Sequence, residues 1–197
     1  MTALAAEVRA CGLCEGMNIP GVTQSAAGYG SVQSPVAIVG QSLCEPCMET
    51  QIPFTGGSGQ VLDDNFAIAG ITKERLFITN AVHCHPPANR RSLRHEIEKC
   101  SPYLHRELEI VLPKLIIGLG RDAERALRSA YREARVLAWP FSAPRTRLNA
   151  APSPDLLFAK HPSWIKRQHD ADLEQEYVTS LARALDWGFR DRPRPAP

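Results

Sequence analysis

Four short apolar runs recur along the chain and predict buried strands. They are VAIV (36–39), LFIT (76–79), LIIGL (115–119) and LLFA (156–159). Each run is rich in aliphatic residues and lacks the regular apolar and polar alternation of a strand with one face in water. The pattern is typical of strands that are buried on both faces of a sheet.

Helical patterns lie between most of these runs. The clearest one has apolar residues at spacings of three and four, on one face: Ile97, Cys100, Leu104, Leu108 and Val111. Ser101 and Pro102 could restart this helix as its cap and first residue, so it could consist of two pieces. Further helices are predicted over 60–69, 120–134 and 170–187.

The alternation of strands and helices predicts an α/β fold, with three layers (α/β/α) around a central, mostly parallel four-stranded sheet. A length of 197 residues suits one domain with a sizeable core. We expect this domain to span residues 1–190. The terminal segment 191–197 is charged and rich in proline, and we expect it to be disordered.

Polar segments follow each predicted strand. They are GQSLCEPC (40–47), NAVHCHPPANRR (80–91), GRDA (120–123) and KHPSWIKR (160–167). Open α/β sheets bind their ligands beyond the carboxyl ends of the strands. The sequence therefore predicts a functional site at that edge of the sheet.

Composition narrows the class of protein only a little. Apolar residues make up 44% of the chain and charged residues 22%, as in ordinary globular proteins. A net charge of +2 permits a nucleic-acid partner without indicating one. No apolar run approaches the roughly 18 residues of a membrane span, so we expect no membrane partner and a cytoplasmic location. Disulfides are disfavoured there, and Cys-x-x-Cys pairs then suggest metal binding or redox chemistry.

The cysteines leave more than one assignment open. They are Cys11, Cys14, Cys44, Cys47, Cys84 and Cys100. The first four form two Cys-x-x-Cys pairs, separated by a gap wider than in the usual zinc ribbon. Four thiolates suit zinc or an iron-sulfur cluster, and Cys84 and Cys100 could equally be small buried hydrophobic residues.

Several longer motifs occur in a fixed order along nearly the whole chain. They are CGLC (11–14), PFTGGSGQVLD (53–63), LFITNAVHCHPPANR (76–90), EIEKCSPYL (96–104), LPKLIIGLGRDA (112–123) and KHPS (160–163). Together they resemble the family 4 uracil-DNA glycosylases, the iron-sulfur type known in bacteria and archaea. The resemblance implies the fold of that superfamily and the excision of uracil from DNA.

The resemblance also implies a ligand set for a 4Fe-4S cluster: Cys11, Cys14, Cys84 and Cys100. Such a cluster would tie the N-terminal segment to the body of the domain, in a structural role. Cys44 and Cys47 then lie in the loop of the base pocket rather than at the metal.

Three side chains carry the implied chemistry. Phe54 would stack on an extruded uracil, and Asn80 would donate to its O4 and accept from N3-H. His161 would donate to O2 of the departing base. Without the resemblance, a core aromatic, a turn residue and an ordinary histidine would be the alternatives. The remaining substrate-binding candidates are Gly40, Cys44, Ser58 and Ser163.

The first motif departs from the family pattern. Residues 40–44 align with Gly-Glu-Ala-Pro-Gly, so Gln41 stands where the family has the glutamate that positions water. Gln41 and Ser42 can orient water but supply no anion. The enzyme could be slow, could use Glu45, or could bind damaged DNA without cutting it. A thiol at Cys44 leaves the exclusion of thymine and the choice of base open.

Basic and exposed apolar residues are candidates for DNA contact: Arg90, Arg91, Trp164 and Arg167, with Arg94, Ile165 and Lys166 beside them. Alternatively, the arginines form a solvated face, and Trp164 and Ile165 begin a helix and face the core. We expect a monomeric DNA-repair glycosylase. The competing hypotheses are a catalytically silent DNA-binding protein and a zinc or redox protein that uses Cys44 and Cys47.

Overall fold

The computed structural model describes residues 1–144 and 153–190, and the tail expected at 191–197 lies outside them. The strands are β1 (Tyr29–Gly30), β2 (Val36–Ser42), β3 (Phe77–Val82), β4 (Leu115–Leu119), β5 (Val136–Leu137) and β6 (Asp155–Ala159). They form one sheet in the order β1-β3-β2-β4-β6-β5. All neighbouring pairs are parallel except β1 with β3.

Helices cover both sides of this sheet. They are α1 (Thr2–Arg9), α2 (Glu45–Thr50), α3 (Gln60–Ala69), α4 (Arg94–Val111), α5 (Arg121–Ala130), α6 (Pro162–Gln168) and α7 (Ala171–Arg190). The predicted α/β fold is therefore confirmed. The four predicted strands are present, and two short strands of two residues each extend the sheet at its edges.

The pattern of β2 explains the three layers. Val36 and Ile38 belong to a core cluster with α3 and α7, whereas Ala37 and Val39 belong to a second cluster with α4 and α5. Successive side chains of a strand point to opposite faces. A run that is apolar at every position must therefore be covered on both sides.

Helix α4 is continuous, with Pro102 in its interior. The predicted apolar face is buried along the whole helix, with Ile97, Leu104 and Leu108 each no more than 3% exposed. An interior proline costs about 3 kcal/mol. Full burial of one large aliphatic side chain contributes about 1.5–3 kcal/mol, so several of them outweigh the proline.

No helix in the described part of the chain is long and apolar enough to cross a membrane.

Candidate active site

The carboxyl ends of the central strands bring the predicted site residues together. Gly40 of β2 lies in register with Asn80 of β3. Gly120 follows β4, and His161 follows β6 at the start of α6. Because these strands are parallel neighbours, the polar segments after them share one edge of the sheet.

Phe54 and Asn80 meet at Gly40. A Cβ at Gly40 would overlap Oδ1 of Asn80 and lie 2.6 Å from Cζ of Phe54. Phe54 is 8% exposed and Asn80 is 5% exposed. None of the described residues makes a hydrogen bond to the side-chain amide of Asn80. A buried amide with free donor and acceptor atoms beside a ring can bind a planar polar ligand.

The ring of His161 lies near that of Phe54. Its ring centroid lies 6.0 Å from that of Phe54, with 35° between the ring planes. A Cβ at Gly120 would lie 2.7 Å from Oε1 of Gln41 and 3.1 Å from Cβ of His161. Gln41 therefore also reaches this group of side chains.

The hydrogen bonds of His161 define its tautomer, and its burial defines its charge. The backbone N–H of Ser163 donates to Nδ1 of His161 at 3.2 Å, and the Ser163 hydroxyl lies 2.8 Å from the same nitrogen. Burial, and then the charge of Arg167, lowers the pKa of His161 to about 4. At neutral pH the ring is therefore uncharged, with its proton on Nε2 and free to donate.

The loop that carries Phe54 is held in a costly conformation. Phe54 has a left-handed φ of 57°, which is uncommon for a bulky residue. Nζ of Lys73 donates to the Phe54 carbonyl at 3.0 Å and also pairs with Asp63 at 2.8 Å. At Gly59, a Cβ would overlap the same carbonyl. Strain of this kind persists where surrounding contacts determine the position of a side chain.

Ser58 lies in the turn Gly57–Gly59, directly before α3. Nζ of Lys166 donates to the Gly57 carbonyl at 3.3 Å and to Oε1 of Gln60 at 2.9 Å. This lysine therefore bridges α6 to the glycine-rich turn beside the candidate pocket.

The first motif is half-buried at Gln41 and Ser42, and Glu45 is exposed at the start of α2. Cys44 and Cys47 form a disulfide, with their Cα atoms 5.0 Å apart. The sequence alone suggested two separate pocket residues in a compartment that disfavours disulfides. The short first turn of α2 brings the two side chains together.

The other cysteines surround a different cavity. Its lining includes Cys11, Cys14, Cys84 and Cys100, together with Met17 and Val82. Burial, and then the neighbouring thiols, raises the pKa of Cys84 to about 12. Four thiols in one cavity are a donor set that suits an iron-sulfur cluster or zinc.

These thiols do not form a compact site for a single metal ion. Among the described residues, no three His, Cys, Asp or Glu side chains converge closely enough to hold one metal ion.

A buried network beside this cavity was missed by the sequence analysis. Nε2 of His83 lies 3.1 Å from Oε2 of Glu107, which also accepts from the Thr79 hydroxyl, while Gly28 N–H donates to Oε1. Burial raises the pKa of Glu107, but the charge of His83 and the hydrogen bonds from His83, Thr79 and Gly28 together outweigh burial and lower that pKa overall. Nδ1 of His83 has no partner among the described residues. The signal was present in α4, where Glu107 lies on the apolar face.

The candidate DNA-contacting arginines differ in whether their side chains are held by an ion pair or exposed to solvent. Arg90 forms a two-pronged ion pair with Glu96, at 2.6 and 3.0 Å. Arg91 and Arg167 are exposed. Only the last two are therefore available as mobile cations at the surface.

Trp164 and Ile165 have different environments within α6. Trp164 is 37% exposed, and Nζ of Lys160 lies 5.4 Å from its ring centroid. Ile165 is 2% exposed and belongs to the core. The predicted apolar wedge is therefore reduced to the tryptophan.

Comparison with known proteins identifies the family. Residues 27–185 match the model of the uracil DNA glycosylase superfamily. The chain is 36% identical over 108 residues to a type-4 uracil-DNA glycosylase of Sulfurisphaera tokodaii, covering 54% of this chain and 49% of that protein. The type-4 enzyme of Pyrobaculum aerophilum is 39% identical over 100 residues, 51% of each chain.

A type-4 uracil-DNA glycosylase of Thermotoga maritima is 33% identical over 101 residues, covering 51% of this chain and 53% of that protein. The matched part of the chain thus spans about half the length of these curated relatives. The match to the superfamily model covers most of the chain. It includes the strands β2, β3, β4 and β6 and the helix α6, which position the site. The chain therefore belongs to the uracil-DNA glycosylase superfamily.

Proposed function

We propose that this protein is a DNA glycosylase that hydrolyses the N-glycosidic bond of uracil in DNA. One observation carries the proposal: Phe54, Asn80 and His161 come from three separate segments and converge on one site. Family membership and the type-4 enzymes among the relatives support the same activity.

Recognition of the base follows from Phe54 and Asn80. A glycosylase rotates its target nucleotide out of the duplex into a pocket. The Phe54 ring gives the extruded base a flat apolar surface. The Asn80 amide donates to O4 of uracil and accepts from N3-H, whereas cytosine presents the opposite pattern.

His161 supplies the hydrogen bond for the leaving group. As the bond to the sugar breaks, negative charge develops on O2 of uracil, and Nε2–H of the neutral imidazole donates to it. A preorganised donor of this type is worth about 2.7–4 kcal/mol in the transition state. The Ser163 N–H holds the ring in this tautomer.

Gln41 orients the attacking water, with Ser42 beside it. Gln41 reaches the site at Gly120 and His161. Neither side chain provides an anion for the developing oxocarbenium ion, so the chemistry depends mainly on stabilisation of the leaving group. We therefore expect a slow enzyme whose rate is highly sensitive to His161.

We also propose that the protein holds a 4Fe-4S cluster through Cys11, Cys14, Cys84 and Cys100. The shared cavity of these four thiols supports it. When bound, the cluster supplies cross-links rather than reaction chemistry. The chain's own contacts act in the same direction, since Lys99 donates to the Leu13 carbonyl at 2.7 Å.

DNA is the proposed partner of a monomeric, cytoplasmic protein. Trp164 is exposed on the helix that begins beside His161, with Arg167 on the same helix. An exposed ring can fill the gap left by an extruded base, and nearby cations attract phosphates regardless of sequence. Arg91 adds such a cation, while Arg90 supports the surface through Glu96. Gly40, Cys44 and Ser58 stay predictions as substrate contacts.

A base-release assay on duplexes with U:G, U:A and hypoxanthine, and on single-stranded DNA with uracil, tests the proposal. We expect cluster-loaded protein to release uracil, and His161→Ala to lower the single-turnover rate by about 10²–10³-fold. His169→Ala is the matched control, since His169 is exposed at the end of the same helix. No release of any base by cluster-loaded protein contradicts the proposed activity.

A further inference from the structure

The Cys44–Cys47 pair has no catalytic step in the proposed mechanism, although Cys44 stays a predicted substrate contact. It lies at the start of α2, and neither residue lines the cavity of the other four cysteines. The Cα separation of 5.0 Å falls within the usual disulfide range of about 4.4–6.8 Å. Cys44 is half-buried, whereas Cys47 is fully buried. One sulfur of the pair is thus accessible and the other is protected.

Both sulfurs contact the same backbone unit. The N–H of Thr55 donates to Sγ of Cys47 at 3.4 Å. Sγ of Cys44 lies 3.7 Å from the Thr55 carbonyl oxygen. Thr55 directly follows Phe54, which has the left-handed backbone. The cysteine pair therefore contacts the residue next to Phe54, whose ring belongs to the candidate pocket.

The two redox states hold this loop differently. In the dithiol, Cys44 can rotate, and its S–H is only a weak donor to the Thr55 carbonyl. In the disulfide, Cys44 is covalently fixed to buried Cys47, and both sulfurs stay against Thr55. The disulfide therefore holds the Phe54 segment more firmly than the dithiol does.

We propose that Cys44 and Cys47 form a reversible redox-active disulfide that acts as a clasp on the loop 51–59, which carries Phe54. The co-reactant is a thiol reductant, either a small-molecule thiol or a protein dithiol. In a reducing compartment, disulfides are transient and often serve to sense redox state.

The exchange proceeds through the accessible sulfur. A thiolate of the reductant attacks Sγ of Cys44, the S–S bond breaks, and Cys47 leaves as a thiolate that is then protonated by solvent. The Thr55 N–H stabilises this leaving thiolate. A second thiolate of the reductant displaces Cys44 from the mixed disulfide. Two electrons pass to the pair, and the reductant becomes a disulfide.

Alkylation followed by mass spectrometry, with amide hydrogen exchange on peptides covering 51–59, tests the clasp. Cluster-loaded protein is treated with oxidised or reduced glutathione, and the visible absorption confirms that the cluster stays intact. We expect Cys44 and Cys47 to be alkylated only after reduction. Exchange over 51–59 is expected to be about threefold or more faster in the reduced protein.

Three variants separate the clasp from general effects on folding. Cys44→Ser is expected to exchange like the reduced wild type under both conditions, and Cys47→Ala provides a second variant with the same prediction. Glu49→Gln, an exposed change in α2, is expected to respond like the wild type. Alkylation of both cysteines after oxidation, or equal exchange in the two states, overturns the clasp.

The effect on catalysis rests on the proposed function and is measured separately. We expect reduction to lower kcat/KM for uracil release by about threefold or more, because a looser loop positions the Phe54 ring less well. If neither state releases a base while the exchange difference persists, the glycosylase proposal fails and the clasp stands. Equal kcat/KM in two confirmed redox states overturns the link to catalysis.

Discussion

At the scale of single residues, the site depends on the protonation of one imidazole. His161 accepts a hydrogen bond from the Ser163 N–H at Nδ1, which leaves Nε2 as the donor. A protonated ring would turn a second N–H towards that donor and lose the contact. The neutral tautomer is therefore a consequence of how α6 begins, with His161 as its N-cap.

This arrangement predicts an unusual titration of His161. Its pKa is about 4 in the folded protein, against about 6.5 for an unperturbed histidine. Between these values the unfolded chain binds a proton that the folded chain does not, so acidification through this window destabilises the fold. Arg167→Gln is expected to raise the pKa of His161, measured by NMR, while Arg183→Gln leaves it unchanged. An unshifted pKa in Arg167→Gln would refute the contribution of the Arg167 charge and leave burial as the cause.

Gly40 supplies a second prediction at this scale. A Cβ there would overlap Asn80 Oδ1 and crowd the Phe54 ring. We expect Gly40→Ala to lower stability by about 1–3 kcal/mol and to reduce uracil release about tenfold or more. At Gly12 a Cβ meets open space. Gly12→Ala is therefore the control, and equal activity of the two variants would contradict the shared pocket.

The sequence points to these residues as candidates more readily than it describes their surroundings. Phe54, Asn80 and His161 could be named from motifs, because each motif is local. The approach of Gln41 to Gly120 could not, since it requires two strands to be neighbours. The left-handed backbone of Phe54 was also beyond prediction, because it depends on Lys73 and Gly59.

At the scale of elements, α4 contributes both to the cysteine-lined cavity, through Cys100, and to a buried hydrogen-bond network, through Glu107. Its apolar face was predicted from spacing, but Glu107 on that face has a partner far away in sequence, His83 after β3. Glu107 is fully buried and accepts three hydrogen bonds from separate segments. Helical periodicity reports which face is buried, and it carries no information about the partner of a buried charge.

Removal of the Glu107 charge is expected to lower the stability of the fold. Breaking a buried ion pair from one side costs about 3–5 kcal/mol, because the other charge is left without compensation. We expect Glu107→Gln to lower the free energy of unfolding by that amount in chemical denaturation. Glu109→Gln, on the exposed side of α4, is expected to change it by less than about 0.5 kcal/mol. Similar values for both variants would show that the network contributes little.

At the scale of the whole molecule, the four central strands and the three layers followed from the apolar runs, whereas the strand order and the edge strands did not. β1 and β5 have two residues each, too few to produce a periodic signal. The N-terminal segment is fastened by the buried side chains of Leu4 and Val8 in α1, by polar contacts and by the proposed cluster. Glu7 of α1 pairs with Arg106 of α4, but exposed pairs contribute about 0–1 kcal/mol.

Loss of the proposed cluster has a specific expected signature. We expect Cys14→Ser to lose iron and visible absorption, and to lower Tm by about 5 °C or more. Protease cleavage within residues 1–18 should increase in the same variant. Cys44→Ser is the matched control and should keep its iron. Retention of iron by Cys14→Ser together with its loss from Cys44→Ser would reverse the ligand assignment.

The central claim is that an aromatic ring, an amide and an imidazole form one pocket for an extruded base. A crystal structure of the cluster-loaded protein with free uracil tests it most directly. Uracil is expected to stack on Phe54, with its O4 and N3 against the Asn80 amide and its O2 against Nε2 of His161. Uracil bound elsewhere, with these three side chains lining no common pocket, would contradict it.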